Sequence, residues 1–253
     1  MKEQLNLFLT AVMFYTRIPV PKSLGFSNER LNRSTRYFPL IGWIVGGIGA
    51  LAFYGLNWIL PVEVAVFLSM MTTIFATGAF HEDGFADFCD GFGGGYTREK
   101  IFTIMKDSRI GTYGTVGLIG MLGTKFLALQ AFPIATIPLV IIAGHAFSRL
   151  IPVLVIFTGT YSREDELSKT KPIGKRGKNS DMVLAVVFGL VPLALFPWQL
   201  TAIVLPASLL VTFLFKKYIE RKIGGYTGDC LGALQQMVEV LFYLCLLGIA
   251  KVY

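Results

Sequence analysis

Long apolar runs separated by short polar stretches set the pattern of this chain. A run of roughly 18–20 apolar residues is enough to cross a bilayer as a helix. The pattern predicts spans at about Phe38–Leu60, Val62–Phe80, Thr112–Phe132 and Pro133–Thr158, then Met182–Phe196, Gln199–Phe215 and Leu231–Ala250. The fifth and sixth are short, and could join as a re-entrant pair. The expected fold is therefore all-α, a polytopic transmembrane helical bundle of about seven spans, or six if that pair merges. Residues 1–253 read as a single integral membrane domain. Leu5 to Tyr15 is too short to span and is expected at the interface or against the bundle. It leads into Thr16-Arg17-Ile18-Pro19-Val20-Pro21, an extended turn punctuated by proline.

Charge orients this bundle. Of 23 Lys and Arg, twenty fall before the first span or in the loops after the second, fourth and sixth. The alternate junctions, near Leu60-Pro61, Phe132-Pro133 and Pro197, hold none. Basic residues collect on the cytoplasmic side of membrane proteins, so the N-terminus and these loops are expected there. Only 15% of residues are charged against 54% hydrophobic, a balance that excludes an ordinary soluble domain. The net charge of +7 lies beside membrane spans and so argues for topology or anionic lipid, not nucleic acid. Cys89, Cys230 and Cys245 share no Cys-x-x-Cys spacing, and with only His81 and His145 present a zinc site is disfavoured. Met1 to Phe14 lacks the pattern of a cleavable leader.

The chemistry is expected on the same side, because all acidic residues except Glu63 and Glu239 lie in those segments. Asp83, Asp87 and Asp90 are spaced i, i+4 and i+7, which puts them at about 0°, 40° and −20° around a helix. Like charges in one stripe repel, and a hard cation with oxygen ligands offsets that repulsion. Mg²⁺ suits the set, since it takes one or two carboxylates together with water and phosphate oxygens. Glu82 points near −100° and serves behind the metal ligands or as a general base. Gly91-Phe92-Gly93-Gly94-Gly95-Tyr96 is expected to break the helix, as a hinge or as backbone against phosphate. Lys106 and Arg109 suit anionic oxygens, and Asp107 could complete a metal shell. Asp229 follows a second glycine cluster, Gly224-Gly225-Tyr226-Thr227-Gly228, where it caps the last helix or meets substrate. Lys125, His145, Arg149 and Glu239 fall inside the spans, where ionisable groups are costly. Arg149 and Glu239 lie at similar depth and are expected to pair or contact substrate; Lys125 and His145 lie deeper, where they could line a polar cavity.

Taken in order, these elements resemble the cobalamin synthase family, the adenosylcobinamide-GDP ribazoletransferases. The resemblance rests on Thr16-Arg17-Ile18-Pro19-Val20-Pro21, Arg33-x-x-Arg36-Tyr37-Phe38-Pro39-Leu40-Ile41-Gly42 and His81-x-Asp83-Gly84-x-Ala86-Asp87-x-x-Asp90-Gly91. It continues through Met105-Lys106-Asp107-Ser108-Arg109-Ile110-Gly111-Thr112, Ser148-Arg149-x-x-Pro152 and Gly225-Tyr226-Thr227-Gly228-Asp229-x-Leu231-Gly232-Ala233. Glu82, where family members often have Leu, and the basic 159–181 loop depart from the pattern. The resemblance implies a Mg²⁺-dependent transferase of the inner (cytoplasmic) membrane, acting late in cobalamin biosynthesis. Its active site would face the cytoplasm and join adenosylcobinamide-GDP to α-ribazole or its 5′-phosphate with release of GMP. On that reading Asp83, Asp87 and Asp90 hold metal, and Asp87, Asp107, Lys106 and Arg109 carry catalysis. Arg17, Arg33, Arg36 and Asp229 would contact substrate, and a homo-oligomer is allowed.

Two other classes compete. A CDP-alcohol phosphotransferase shares the chemistry, but its D-G-x-x-A-R pattern is absent from this acidic motif. A transporter would use Lys125, Arg149 and Glu239 as a pathway, yet no internal repeat is evident and the acids cluster at one face.

Overall fold

A computed structural model describes residues 2–25, 27–162 and 178–252. Among the described residues the regular structure is helical, and one isolated parallel bridge joins Tyr161 to Tyr226. Helix α1 (Lys2–Tyr15) packs on the bundle through Leu7, Ala11, Val12 and Tyr15, as its length predicts. Then follow α2 (Asn28–Ser34), α3 (Phe38–Leu56), α4 (Val62–Thr77), α5 (Phe80–Gly94) and α6 (Arg98–Met105). The second half comprises α7 (Thr112–Gln130), α8 (Ile137–Thr158), α9 (Asn179–Leu190), α10 (Trp198–Ile223) and α11 (Gly228–Val252).

Among the described residues four helical segments are long and apolar enough to cross a membrane: Asn28–Leu56, Ile134–Thr158, Trp198–Ile223 and Gly228–Lys251. A fifth arises only if α4 and α5, bent 89° to one another, count as one. That is fewer than seven, and each shortfall has a local cause. The predicted second span turns sharply at Gly78 (φ 68°) and Ala79 (φ 58°), two successive left-handed residues. Helix α7 has the length, but Gly114, Gly117, Gly120, Gly123, Lys125 and three threonines dilute its apolarity. The predicted fifth span becomes α9 and a 3-10 turn over Val191–Leu195, shorter than the long spans. The sixth is longer than expected, because α10 continues as helix through Lys216, Lys217, Arg221 and Lys222.

Side-chain placement supports a bilayer. Leu51, Trp58, Phe75, Ile119, Leu127 and Phe213 are each more than half exposed, while Lys125, Arg149, Gln235 and Glu239 are buried. A chain in water would reverse this arrangement. The tightest seam joins α3 to α8. A methyl group at Gly42 would sit 2.3 Å from the His145 carbonyl oxygen, and one at Gly46 would sit 2.7 Å from Ile142 Cα. Small residues one helical turn apart let the two backbones meet, the usual basis of helix association in lipid.

Within that bundle lies a continuous polar network. Lys125 Nζ stands 2.9 Å from Glu239 Oε1 and donates to Gln236 Oε1 at 2.9 Å. Gln236 donates in turn to Glu82 Oε1 at 2.8 Å. Gln235 donates to Ser148 and to Glu239, both at 2.8 Å, and the Tyr243 hydroxyl donates to Glu239 at 3.1 Å. Glu239 therefore pairs with Lys125 and not, as depth alone suggested, with Arg149. Arg149 instead donates to the ring and carbonyl of His145, both at 2.9 Å. The reach of Lys125 from α7 to α11 decides the pairing.

Candidate active site

The site is built at the elbow between α4 and α5. Two hydrogen bonds hold the turn, from Gly78 N–H to Phe75 and from Ala79 N–H to Ile74. The backbone N–H of Arg17 donates to Ala76 at 2.8 Å, and its exposed side chain lies over Gly78. Any Cβ at Gly78 would run into the Arg17 guanidinium, 2.1 Å from Nε. The turn sends α5 off as a separate helix carrying the acidic residues on consecutive turns.

Asp83 is exposed, Asp87 half-buried and Asp90 buried. Gly84 lets α11 approach, since a Cβ there would lie 3.1 Å from Asp229 Cα. Asp229 is thereby brought to the stripe: Asp87 senses the charges of Asp229, Asp83 and Asp90, and Asp229 senses that of Asp83. Asp83, Asp87 and Asp229 have no salt-bridge partner among the described residues.

Asp90 stands apart from them. Its two oxygens accept from the N–H groups of Gly111 at 2.7 Å and Gly114 at 2.8 Å. It thus caps the start of α7 from another helix, and a Cβ at either glycine would strike its carboxylate at 2.5 or 2.4 Å. With both oxygens engaged, Asp90 suits a structural role better than the metal-ligand role its spacing suggested. The same bonds hold the 106–111 loop against α5, with Lys106 and Arg109 exposed on it. Arg109 grips Asp107 through Nε at 3.0 Å and Nη2 at 2.8 Å. That hydrogen bonding holds the Asp107 carboxyl down at about 2 and pushes the Arg109 guanidinium up.

Other sequence candidates go elsewhere. Arg33 bridges to Glu3, and buried Arg36 bridges to buried Asp181 while donating to Gln4 at 3.3 Å. Arg33 thereby ties α2 to α1, and Arg36, in the 3-10 turn Thr35–Tyr37, ties that turn to α1 and α9. Glu82 is buried in the bundle network and belongs to its interior. The glycine run ends α5 as expected: the helix stops at Gly94, Gly95 turns extended, and Gly91, still helical, packs on Met105. Of the basic loop, Arg163, Lys169, Lys171, Lys175 and Arg176 lie outside the described residues.

The donor chemistry fits a hard divalent cation. The candidates are carboxylates only, mutually repelling and with no salt-bridge partner among the described residues. Among the described residues no three His, Cys, Asp or Glu side chains converge closely enough to hold a metal ion by themselves. An ion at this site would draw its remaining ligands from water and from substrate phosphate, as Mg²⁺ usually does.

The adenosylcobinamide-GDP ribazoletransferase of Shewanella amazonensis is 45% identical, covering 97% of this chain and 96% of its own. Those of Vibrio cholerae and Leptospira interrogans are 42% and 43% identical, covering 98% and 96% of this chain and 95% and 96% of theirs. No solved structure matches. The sequence model described as cobalamin-5-phosphate synthase matches residues 7–247, and the chain belongs to that family.

Proposed function

We propose that this protein is a Mg²⁺-dependent adenosylcobinamide-GDP ribazoletransferase, working at the cytoplasmic face of the inner membrane. The observation that carries the reading is the juxtaposition of Asp83, Asp87 and Asp229 with a cation-bearing loop that Asp90 pins to the same helix. In the reaction, a ribose hydroxyl of α-ribazole attacks the phosphorus that bears the cobinamide group. The P–O bond to GMP breaks, GMP leaves with the electron pair, and the hydroxyl proton passes to a carboxylate of the cluster. Transfer at phosphorus depends on positioning and charge neutralisation more than on covalent catalysis.

One or two carboxylates of the set Asp83, Asp87 and Asp229 would hold the Mg²⁺, with water and substrate phosphate completing its shell; when bound it neutralises diphosphate charge. Lys106 and Arg109 stabilise charge developing on the departing GMP. Asp107, kept ionised by Arg109, is too weak a base to take the proton and serves to orient that guanidinium. Arg17, at the elbow, is placed for an anionic part of the substrate. The distribution of Lys and Arg supports a cytoplasmic orientation.

The test is GMP release and cobamide formation by purified protein in detergent from adenosylcobinamide-GDP and α-ribazole. Turnover should require Mg²⁺ and stop with chelator. Full turnover in chelator would remove the metal assignment, and absence of cobamide under all metal conditions would remove the activity.

A further inference from the structure

Beside the acidic cluster is a cavity that the reaction scheme above leaves unused. It encloses about 490 Å³ of empty space, a figure that includes the open solvent at its mouth. Its walls include Phe14, Tyr15, Phe38, Phe80, Tyr161 and His81. The rings are ordered against one another: Tyr15 stacks on Phe38 at 4.1 Å, Phe38 on His81 at 5.7 Å, and Phe14 meets Phe80 edge-on at 5.4 Å. Its floor is the first turn of α11 at Gly228, Leu231 and Gly232, adjoining Asp229. His81 stands two residues before Asp83.

His81 is the unusual member. It is 1% exposed, yet neither ring nitrogen has a hydrogen-bond partner among the described residues. Buried polar atoms are nearly always bonded, and leaving one unpaired costs on the order of 1–3 kcal/mol. An unpartnered imidazole in an aromatic wall is suited to a flat ligand that brings one complementary ring atom.

Resting on the transferase reading, we infer that this slot holds the benzimidazole base of α-ribazole, with His81 donating to its one unsubstituted ring nitrogen. The rest of that base is hydrocarbon, including two methyl groups, which matches mainly aromatic walls whose polar side chains are His81, Tyr15 and Tyr161. Guanine matches less well, because its carbonyl, amino and ring N–H groups outnumber those polar side chains. A base seated here places its ribose toward Asp229 and the stripe, where the attacking hydroxyl is required.

The experiment uses the intrinsic fluorescence of the benzimidazole to follow α-ribazole binding to the full-length protein in detergent, with no second substrate. Wild type binds and GMP does not compete. His81→Ala weakens binding at least 10-fold, His81→Gln, which keeps an N–H donor, recovers part of it, and Leu231→Trp, which fills the slot, removes it. Melting temperatures report whether each variant is folded; should His81→Ala fail to fold, His81→Gln and Leu231→Trp decide. In turnover, the KM for α-ribazole rises with His81→Ala while that for adenosylcobinamide-GDP stays within about 2-fold. Competition by GMP, or wild-type affinity in folded His81→Ala and Leu231→Trp proteins, overturns the assignment. Binding with this pattern but no cobamide product would sink the transferase reading and leave the slot standing. Normal turnover with an unchanged KM for α-ribazole in His81→Ala would do the opposite.

Discussion

The interior network and the acidic stripe use the same kinds of side chain to opposite ends. Around Glu239 the protein answers charge with charge: Lys125 pairs with it, while Gln235 and Tyr243 donate to its oxygens. On α5 and α11 it does the reverse, gathering Asp83, Asp87 and Asp229 without a cation among the described residues. The first arrangement is complete within the folded chain and holds helices together. On the proposed reading the second is complete only when a cation binds, and that is what would make it a site.

If that contrast is right, damage to the two regions should be read by different instruments. Glu239→Gln strands buried Lys125 and should lower stability by about 3–5 kcal/mol, seen as a fall in melting temperature with or without Mg²⁺. An unchanged melting temperature would mean the network is not structural. Asp83→Asn or Asp87→Asn should instead cut turnover about 100-fold, near 2.7 kcal/mol of barrier, with melting unchanged in the absence of Mg²⁺. Turnover within a few-fold of wild type would dissolve the contrast.

Asp90 lies between the two regimes and sharpens the boundary. Asp90→Ala removes a cap and should cost about 1–2 kcal/mol of stability. It should also slow turnover by loosening the loop that carries Lys106 and Arg109. Gly114→Ala, which drives a methyl into the same carboxylate, should behave alike; a loss of turnover with no loss of stability would make Asp90 a ligand after all.

The smallest effect belongs to Asp107. Its folded value, about 2, is below the ordinary aspartate value of about 3.9. The stability this contributes is present above that ordinary value and is lost as pH falls through about 2. Melting curves of wild type and Asp107→Asn should therefore differ by a constant between pH 5 and 9. A difference that varies across that window would contradict the Arg109 pairing.

Much of this was legible in one dimension. The long spans followed from apolar run length, and the period of Asp83, Asp87 and Asp90 placed them on one face before any coordinates. What stayed hidden depended on partners distant in sequence. Nothing beside Asp90 announces that its oxygens meet N–H groups 21 and 24 residues onward, though Gly111 and Gly114 leave the space. Lys125 and Glu239 were visible as costly residues, but their pairing required knowing that α7 and α11 are neighbours. The elbow was hidden for another reason: Gly78 and Ala79 sit between apolar residues, so hydropathy runs straight through a right-angled bend. His81 entered only as one of two histidines, too few for zinc, and as the first residue of the acidic motif, because an unpartnered ring is a property of packing.

That elbow also sets a depth. Helix α4 has 16 residues, about 24 Å at 1.5 Å per residue, against a hydrocarbon layer of about 30 Å. Alone it stops about 6 Å short of the full layer, and the chain meets that shortfall by turning at Gly78 and Ala79 instead of running on straight.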